Sequence, residues 1–264
     1  MKNKNILLTG GHSGMGLELT KMLKDEGHKI GLILRNEKRK GDAIRELGGA
    51  SQMDFFFADL SKREDIKSVS EDIKTVWTKI DVVFNNAGVL LDKLYFSDYG
   101  NELQLEINAL SPYLLTQELL PLLGKAQNPL VVNTATAGLQ NKRSIDIQRF
   151  KKPKKFTKLT GSYMDSKLTM VLLMNHLNSK NENLRIVNVD PGAIKTKMTA
   201  GDGMPSWLKP IRNLLFKSPK EGAQKLYEAA FDTKYNGKGI YVSKGKVKKM
   251  NIVLKDDELD ALLK

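Results

Sequence analysis

The chain of 264 residues contains no cysteine. That excludes disulfides, a thiolate nucleophile, cysteine-ligated zinc and iron–sulfur clusters. Three histidines are present, His12, His28 and His176, and they lie far apart in the chain. No His-x-x-x-His pair occurs, so neither a histidine-based metal site nor a Ser-His-Asp triad is expected. Long apolar runs are also missing: the longest unbroken one, 170–174, has five residues. A membrane span needs about 20. The basic start is followed by only three apolar residues before Thr9-Gly10-Gly11, whereas a secretory signal needs a core of about 7–15. The expected location is the cytoplasm.

What is present describes a folded globule. Apolar residues make up 41% and charged residues 28%, too apolar for disorder. A chain of this size buries roughly 70–75% of its unfolded surface and needs no staples. Lys plus Arg outnumber Asp plus Glu by 43 to 30, a net charge of +13. Such charge attracts anions, nucleic acid or acidic membrane surfaces. The lysines are spread along the chain and no recognition module appears, so nucleic-acid binding is not expected.

Short β-rich apolar runs alternate with helical stretches. Strands are expected at 5–9, 29–35, 54–58, 81–85, 130–134, 185–190 and 239–242. Helices are expected at 14–26, 38–47, 62–78, 99–123, 162–179 and 220–231. This alternation implies an α/β fold: a single doubly wound, Rossmann-type domain over residues 1–264. It has about seven parallel strands with helices on both faces. Two segments break the rhythm. Residues 139–161 form a basic insertion, densest at Lys151-Lys152-Pro153-Lys154-Lys155, which reads as a solvated loop or one that meets an acidic partner. Residues 195–218 mix Met198, Met204, Trp207, Leu208, Ile211, Leu214, Leu215 and Phe216 with basic residues. Loops this long are usually functional or disordered.

The first strand runs into Thr9-Gly10-Gly11-His12-Ser13-Gly14-Met15-Gly16, and a helix follows. Glycines here permit a tight turn and close approach to a pyrophosphate, and the helix N-terminus offers free N–H groups to the anion. Strand two ends Leu34-Arg35-Asn36, with no acid to hold a ribose 2′-OH. Arg35 suits a 2′-phosphate instead, with Lys38 and Arg39 close behind, so NADP is expected over NAD. The competing reading is that Arg35 caps a strand at the surface, and Glu37 is the one nearby acid.

Tyr163 and Lys167 stand four residues apart on an expected helix, a spacing that places both on one face. Their reference pKa values are about 10 and about 10.4. A fixed ammonium and the positive nicotinamide of an oxidised cofactor both favour phenolate and are expected to lower the Tyr163 pKa towards the range a proton donor requires.

With Asn85-Asn86-Ala87-Gly88, Asp59-Leu60, Asn108, Tyr163-Met164-Asp165-Ser166-Lys167 and Pro191-Gly192-Ala193-Ile194-Lys195-Thr196, the glycine loop resembles the short-chain dehydrogenase/reductase family. The motifs follow the family's order. The resemblance implies a nicotinamide dinucleotide across the strands' C-terminal ends. The loop residues Gly10, His12, Ser13, Gly14, Met15 and Gly16 would hold it. Asp59 and Leu60 would contact adenine, although Asp59 reads equally as a helix N-cap. Asn86, Ala87 and Gly88 would line the ribose path, and Pro191, Gly192, Ile194 and Thr196 the carboxamide end. Tyr163 would be the acid/base, Lys167 would also bind the nicotinamide ribose, and Asn108 would support a water beside the lysine.

One position departs from the family. Aligning Asn133 with the family's asparagine puts Thr136 at the catalytic serine. Threonine keeps the hydroxyl but adds a β-methyl that stiffens χ1. Ser162 is a possible deputy. The Thr136–Tyr163 gap of 27 residues, Arg35 and the tail Gly237-Lys238-Gly239-Ile240-Tyr241 resemble the retinol-dehydrogenase-like branch. The expected activity is NADP-dependent hydride transfer on a small, lipophilic carbonyl/alcohol pair. The rival reading is an NADP(H)-binding sensor or scaffold with little catalysis. The 195–218 segment falls at the family's substrate lid. An interfacial membrane helix and plain core or dimer packing stay open for it. The resemblance also implies a homo-oligomer, paired through helices 99–123 and 162–179.

Overall fold

The computed structural model describes residues 3–208, 210 and 212–263. Eight strands form one sheet: β1 (Asn5–Thr9), β2 (Lys29–Leu34), β3 (Met53–Phe57), β4 (Val82–Asn85), β5 (Leu130–Thr134), β6 (Arg185–Val189), β7 (Ile240–Ser243) and β8 (Lys246–Lys248). Their order is β3-β2-β1-β4-β5-β6-β7-β8. The first seven are parallel, and β8 returns antiparallel along β7. All seven strands expected from the sequence are present. The eighth was not expected, because Lys246-Val247-Lys248 has one apolar residue to mark it. Its lysines suit an exposed sheet edge, where charge discourages pairing with another chain.

The sheet is apolar on both faces, as parallel strands covered by helices must be. In β1, Ile6 and Leu8 join Leu32, Phe84, Val132 and Val187 in one core. Leu7 points the other way, to Val83, Val131 and Ile186. Helices α1 (Gly14–Asp25), α2 (Glu37–Leu47) and α10 (Pro219–Phe231) supply the first core. Helices α3 (Arg63–Val76), α5 (Ser111–Leu123) and α7 (Met164–Lys180) supply the second. The short helices are α4 (Leu103–Leu105), α6 (Ile147–Lys151), α8 (Lys197–Ala200), α9 (Arg212–Leu215) and α11 (Asp256–Leu263). Local chemistry sets the ends. Asn36 caps α2 by accepting from Arg39 N–H, and Gly48 closes it in a left-handed conformation. Ser218 and Glu221 form a capping box on α10, with Pro219 in its first turn.

A polar rung crosses the middle of this apolar sheet. Asn85, Asn133 and Asn188 stand in register on β4, β5 and β6. Their amides hydrogen-bond in series at 2.9 Å each, and Asn188 passes on to Asn175 of α7 at 3.0 Å. Buried amides bonded to one another specify strand register, with Asn85 Oδ1 alone in the rung left without a partner among the described residues.

Three expectations change. The helix expected at 99–123 begins at Leu103 and passes through a π-helical turn, Glu106–Leu110, before α5. The residues before it are held in a turn: Phe96 bridges to Glu102, and the Glu102 carboxylate caps Leu105 N–H. The helix expected from 162 is entered through a second π-helical turn, Lys158–Tyr163. The basic insertion is docked rather than uniformly solvated. Phe150 is buried, Lys142 lies 3.6 Å from the buried Asp165, and Lys151 Nζ donates to Ala261 O of α11. Lys152, Lys154 and Lys155 remain exposed.

Helix α7 is buried on every side from Asp165 to Met174. Leu254 and Leu262 of the C-terminal segment and Phe150 of the insertion join its core. The two-fold pairing expected through this helix therefore has no free apolar stripe on α7 to use.

Candidate active site

At the C-terminal ends of the strands lies a cavity of about 400 Å³. One end is built by the glycine loop. Gly10 and Gly14 have φ of +70° and +55°, a region that L side chains rarely adopt. A Cβ on Gly16 would stand 2.2 Å from Gly10 O. Thr9 fixes the facing loop: its Oγ1 accepts from the backbone N–H groups of Asn86 and Ala87, both at 3.0 Å. Asn86 Nδ2 in turn donates to Thr9 O at 3.2 Å. His12, Ser13, Met15, Ala87 and Gly88 also line the cavity.

The same end is basic. Arg35, Arg39, Lys197 and His12 all line it. Burial first, then the Arg39 guanidinium, holds His12 below its ordinary pKa. Its buried Nδ1 has no partner among the described residues. Arg35 Nε lies 3.5 Å from Asp59 Oδ2. Asp59 itself does not line the cavity, whereas Leu60 does. The N-cap reading of Asp59 is corrected: α3 starts after Lys62, and Asp59 Oδ1 instead accepts from Ser61 N–H and Oγ. Burial opposes its charge, but the Ser61 hydrogen bonds and Arg35 hold its carboxyl below the usual range.

Tyr163, Lys167 and Thr136 line the same cavity with Pro191, Gly192, Ile194 and Thr196, and a Cβ on Gly14 would meet Thr196 Cγ2 at 3.4 Å. Lys167 is 2% exposed, and its Nζ donates to Thr134 O at 2.7 Å. Desolvation pulls its pKa down to about 8. Tyr163 is half-buried, and its hydroxyl has no protein partner among the described residues. Desolvation, with the Asp190 carboxylate adding to it, pushes the phenol up to about 12. The expected lowering is thus reversed in the protein alone. The Lys167 ammonium is spent on a backbone carbonyl, and its own burial weakens its charge.

Asn108 stands behind the cavity wall, inside the first π-helical turn. Its Oδ1 accepts from Val89 N–H at 2.8 Å, and its Nδ2 donates to Val89 O and Ser166 Oγ. Ser166 Oγ donates to Tyr163 O at 2.8 Å. Asn108 therefore joins the Gly88–Val89 loop to the first turn of the tyrosine helix. A Cβ on Gly88 would meet Asn108 Oδ1 at 3.0 Å and Lys167 Nζ at 3.4 Å, so glycine keeps the two groups close to the loop.

Thr136 is half-buried, and its backbone carbonyl accepts from Tyr241 Oη at 2.7 Å. Ser162 lines a separate small cavity behind α7 with Asp165 and Phe150, which removes it as a deputy. Thr196 to Thr199 of the segment 195–218 line the cavity. Lys195 N–H donates to Lys217 O and Lys217 N–H to Ala193 O, which zips its two ends together. Thr196 caps α8, and Arg212 reaches back to Thr196 O and Thr199 Oγ1. Met198 lines the cavity, and Met204 and Phe216 are buried. Lys209 and Ile211 lie outside the described residues.

Sequence reasoning missed Asp190. It is 4% exposed, accepts from Gly192 N–H and Ser243 Oγ at 2.7 Å each, and acts on Tyr163. Its signal was its place directly before Pro191-Gly192. Val89 and Ile107 were also missed as lining residues, whereas Lys197, Met198 and Thr199 come from the segment expected as the lid. No helix among the described residues is long and apolar enough to cross a membrane, and no cluster suited to a metal ion occurs among them.

The family model for short chain dehydrogenases matches residues 4–145. Polyprenol dehydrogenase of Danio rerio is 26% identical over 98% of this chain and 84% of its own length. Retinol dehydrogenase 11 of Mus musculus is 27% identical over 85% of this chain and 72% of its own. A short chain dehydrogenase of Shigella flexneri, solved with NADP, superposes with a TM-score of 0.72. It is 23% identical and covers 91% of this chain and 96% of its own. The chain belongs to the short-chain dehydrogenase family, and it is an oxidoreductase that moves hydride between a nicotinamide cofactor and an alcohol/carbonyl pair.

Proposed function

We propose that the protein is an NADP(H)-dependent reductase or dehydrogenase of a small, lipophilic aldehyde or ketone and its alcohol, similar to the retinol dehydrogenases. The observation that carries this reading is convergence: the glycine cradle, a cluster of basic side chains and the Tyr163–Lys167 pair open on one cavity. The cradle suits a dinucleotide, because Gly10 and Gly14 take positive φ and Gly16, with no Cβ, lets the start of α1 pack directly on Gly10 and Asn86. Gly10, Gly14 and Gly16 would hold the diphosphate, and Arg35, Arg39 and His12 the adenosine 2′-phosphate. Asn86 to Gly88 would take the ribose side. Pro191, Gly192, Ile194 and Thr196 would take the carboxamide. When bound, the nicotinamide supplies or accepts the hydride.

The chain's own residues handle the proton. In reduction the carbonyl carbon gains a hydride and its oxygen takes the Tyr163 proton, which leaves alcohol and phenolate. With its pKa at about 12, Tyr163 holds that proton at neutral pH. Lys167, at about 8, is still largely an ammonium there and would hold the nicotinamide ribose. Thr136 Oγ1 donates to the carbonyl oxygen and orients it. Asn108 positions Val89 and α7 and does not itself touch substrate. Val89, Ile107 and Met198 give the wall its apolar character.

The test is steady-state oxidation of NADPH and NADH with a panel of lipophilic and polar carbonyls. NADPH is expected to be preferred at least roughly tenfold in kcat/KM, since one charge-assisted pair carries about 1.5–3 kcal/mol. Equal use of NADH, or turnover confined to polar carbonyls, would overturn the corresponding half of the reading.

A further inference from the structure

The outer side of segment 195–218 is unexplained by the cavity it lines. Leu214 is 84% exposed, Trp207 69% and Leu215 61%, three of the four most exposed large apolar side chains among the described residues. They fall within nine residues of one another in the chain. Between residues 195 and 221 the sequence has Lys195, Lys197, Lys209, Arg212, Lys217 and Lys220 against two acids, Asp202 and Glu221, the second 3.8 Å from Lys217 Nζ. Lys197, Lys217 and Lys220 are exposed.

We infer that this face docks on an anionic bilayer, with Trp207, Leu214 and Leu215 entering the headgroup region and the lysines meeting lipid phosphates and carboxylates. The composition is that of an interfacial anchor: leucine and tryptophan on the apolar side and lysine on the flanks. Charge argues against a second copy as the occupant. Two such faces meeting across a two-fold axis would set an excess of positive charge, Lys217 and Lys220 included, against like charge. Lys197, Met198 and Thr199 line the catalytic cavity from the same segment. Docking here would therefore bring the segment that carries part of the cavity wall to the lipid surface. The docking itself does not depend on the cofactor reading and is tested apart from activity.

The chain carries its own reporter. It has two tryptophans, and Trp77 is 2% exposed with its Nε1 donating to Asp54. An emission change on adding vesicles thus reports Trp207. The full-length protein is mixed with phosphatidylcholine vesicles with and without phosphatidylserine, then followed by fluorescence and co-sedimentation. The expected result is a blue shift and co-sedimentation with the serine-containing vesicles only, both reversed by high salt. The double variant Leu214→Asp, Leu215→Asp should melt as the parent does, because both side chains are exposed. Its bound fraction should fall roughly tenfold or more.

Failure to co-sediment overturns the inference. So does equal binding to neutral vesicles. Co-sedimentation without a Trp207 shift would also overturn it, since the lysines at 244, 246, 248 and 249 would then be the contact. Concentration-dependent dimerisation abolished by the double variant would show that a second copy covers the face.

Discussion

The ammonium of Lys167 donates to the carbonyl oxygen of Thr134 at 2.7 Å, joining helix α7 to the end of strand β5. The bond places the charge beside the cavity at an energetic cost, because the side chain is 2% exposed and its pKa falls to about 8. Between about pH 8 and 10.5 the unfolded chain holds more protons at this position than the folded one. Stability therefore rises with pH through that window, and the full penalty applies below it. Lys167→Met should abolish most turnover yet stabilise the fold at pH 7 by about 1–2 kcal/mol, after loss of the Thr134 bond. The gain should shrink by pH 10. Thermal melts of both forms at the two pH values check this, and a gain independent of pH would contradict it.

Asp190 bears on Tyr163 from the other side. Replacing it by Asn keeps the shape and an acceptor for Gly192 N–H but removes the negative charge. The Tyr163 pKa should move down from about 12. Alcohol oxidation, which needs phenolate, should then reach its plateau at lower pH, and carbonyl reduction should begin to decline at lower pH. The pH profile of kcat/KM in both directions measures the shift. An unmoved profile would show that Asp190 serves only the Gly192 turn.

Thr136 stands where the family has serine. If its hydroxyl donates to the substrate oxygen, Thr136→Ala should lower kcat by about 10²–10³-fold, the usual range for one donor to a developing oxyanion. Thr136→Ser should keep or raise it. Equal rates for all three forms would remove Thr136 from the chemistry.

Arg35 shares its position with a competing acid, since Asp59 Oδ2 lies 3.5 Å away. Arg35→Asp should cut kcat/KM with NADPH by roughly 10–100-fold and leave NADH little changed. Equal loss with both cofactors would show that Arg35 acts through the fold.

Gly16 has no room for a side chain. Gly16→Ala should cost about 1–3 kcal/mol of stability, because its Cβ would meet Gly10 O at 2.2 Å. The dinucleotide affinity should drop with it. Calorimetric titration with NADPH and a thermal melt check both effects.

Much of this molecule was legible without coordinates. The strands and long helices announce themselves by local apolar runs and periodicity. The glycine loop needs backbone conformations that few residues adopt. Less legible were features created by distant partners. Helix α11 has an acidic first turn and then Leu259, Leu262 and Leu263, a usable signal. Its docking on the insertion was not foreseeable, because Lys151 and Ala261 are 110 residues apart. The π-helical turns at Asn108 and before Tyr163 leave no periodic signature.

By itself the chain's order of residues determined a parallel sheet apolar on both faces, a phosphate-type cradle after its first strand, and a tyrosine and lysine one helical turn apart. These follow from backbone sterics and side-chain period, which act over a few residues. Only the tertiary structure decided that Lys167 is tied to a carbonyl, that Asp190 lies near enough to raise the Tyr163 pKa, and that α7 is enclosed by its own chain. Burial and Coulomb interaction depend on distances in space, and a linear sequence does not contain them.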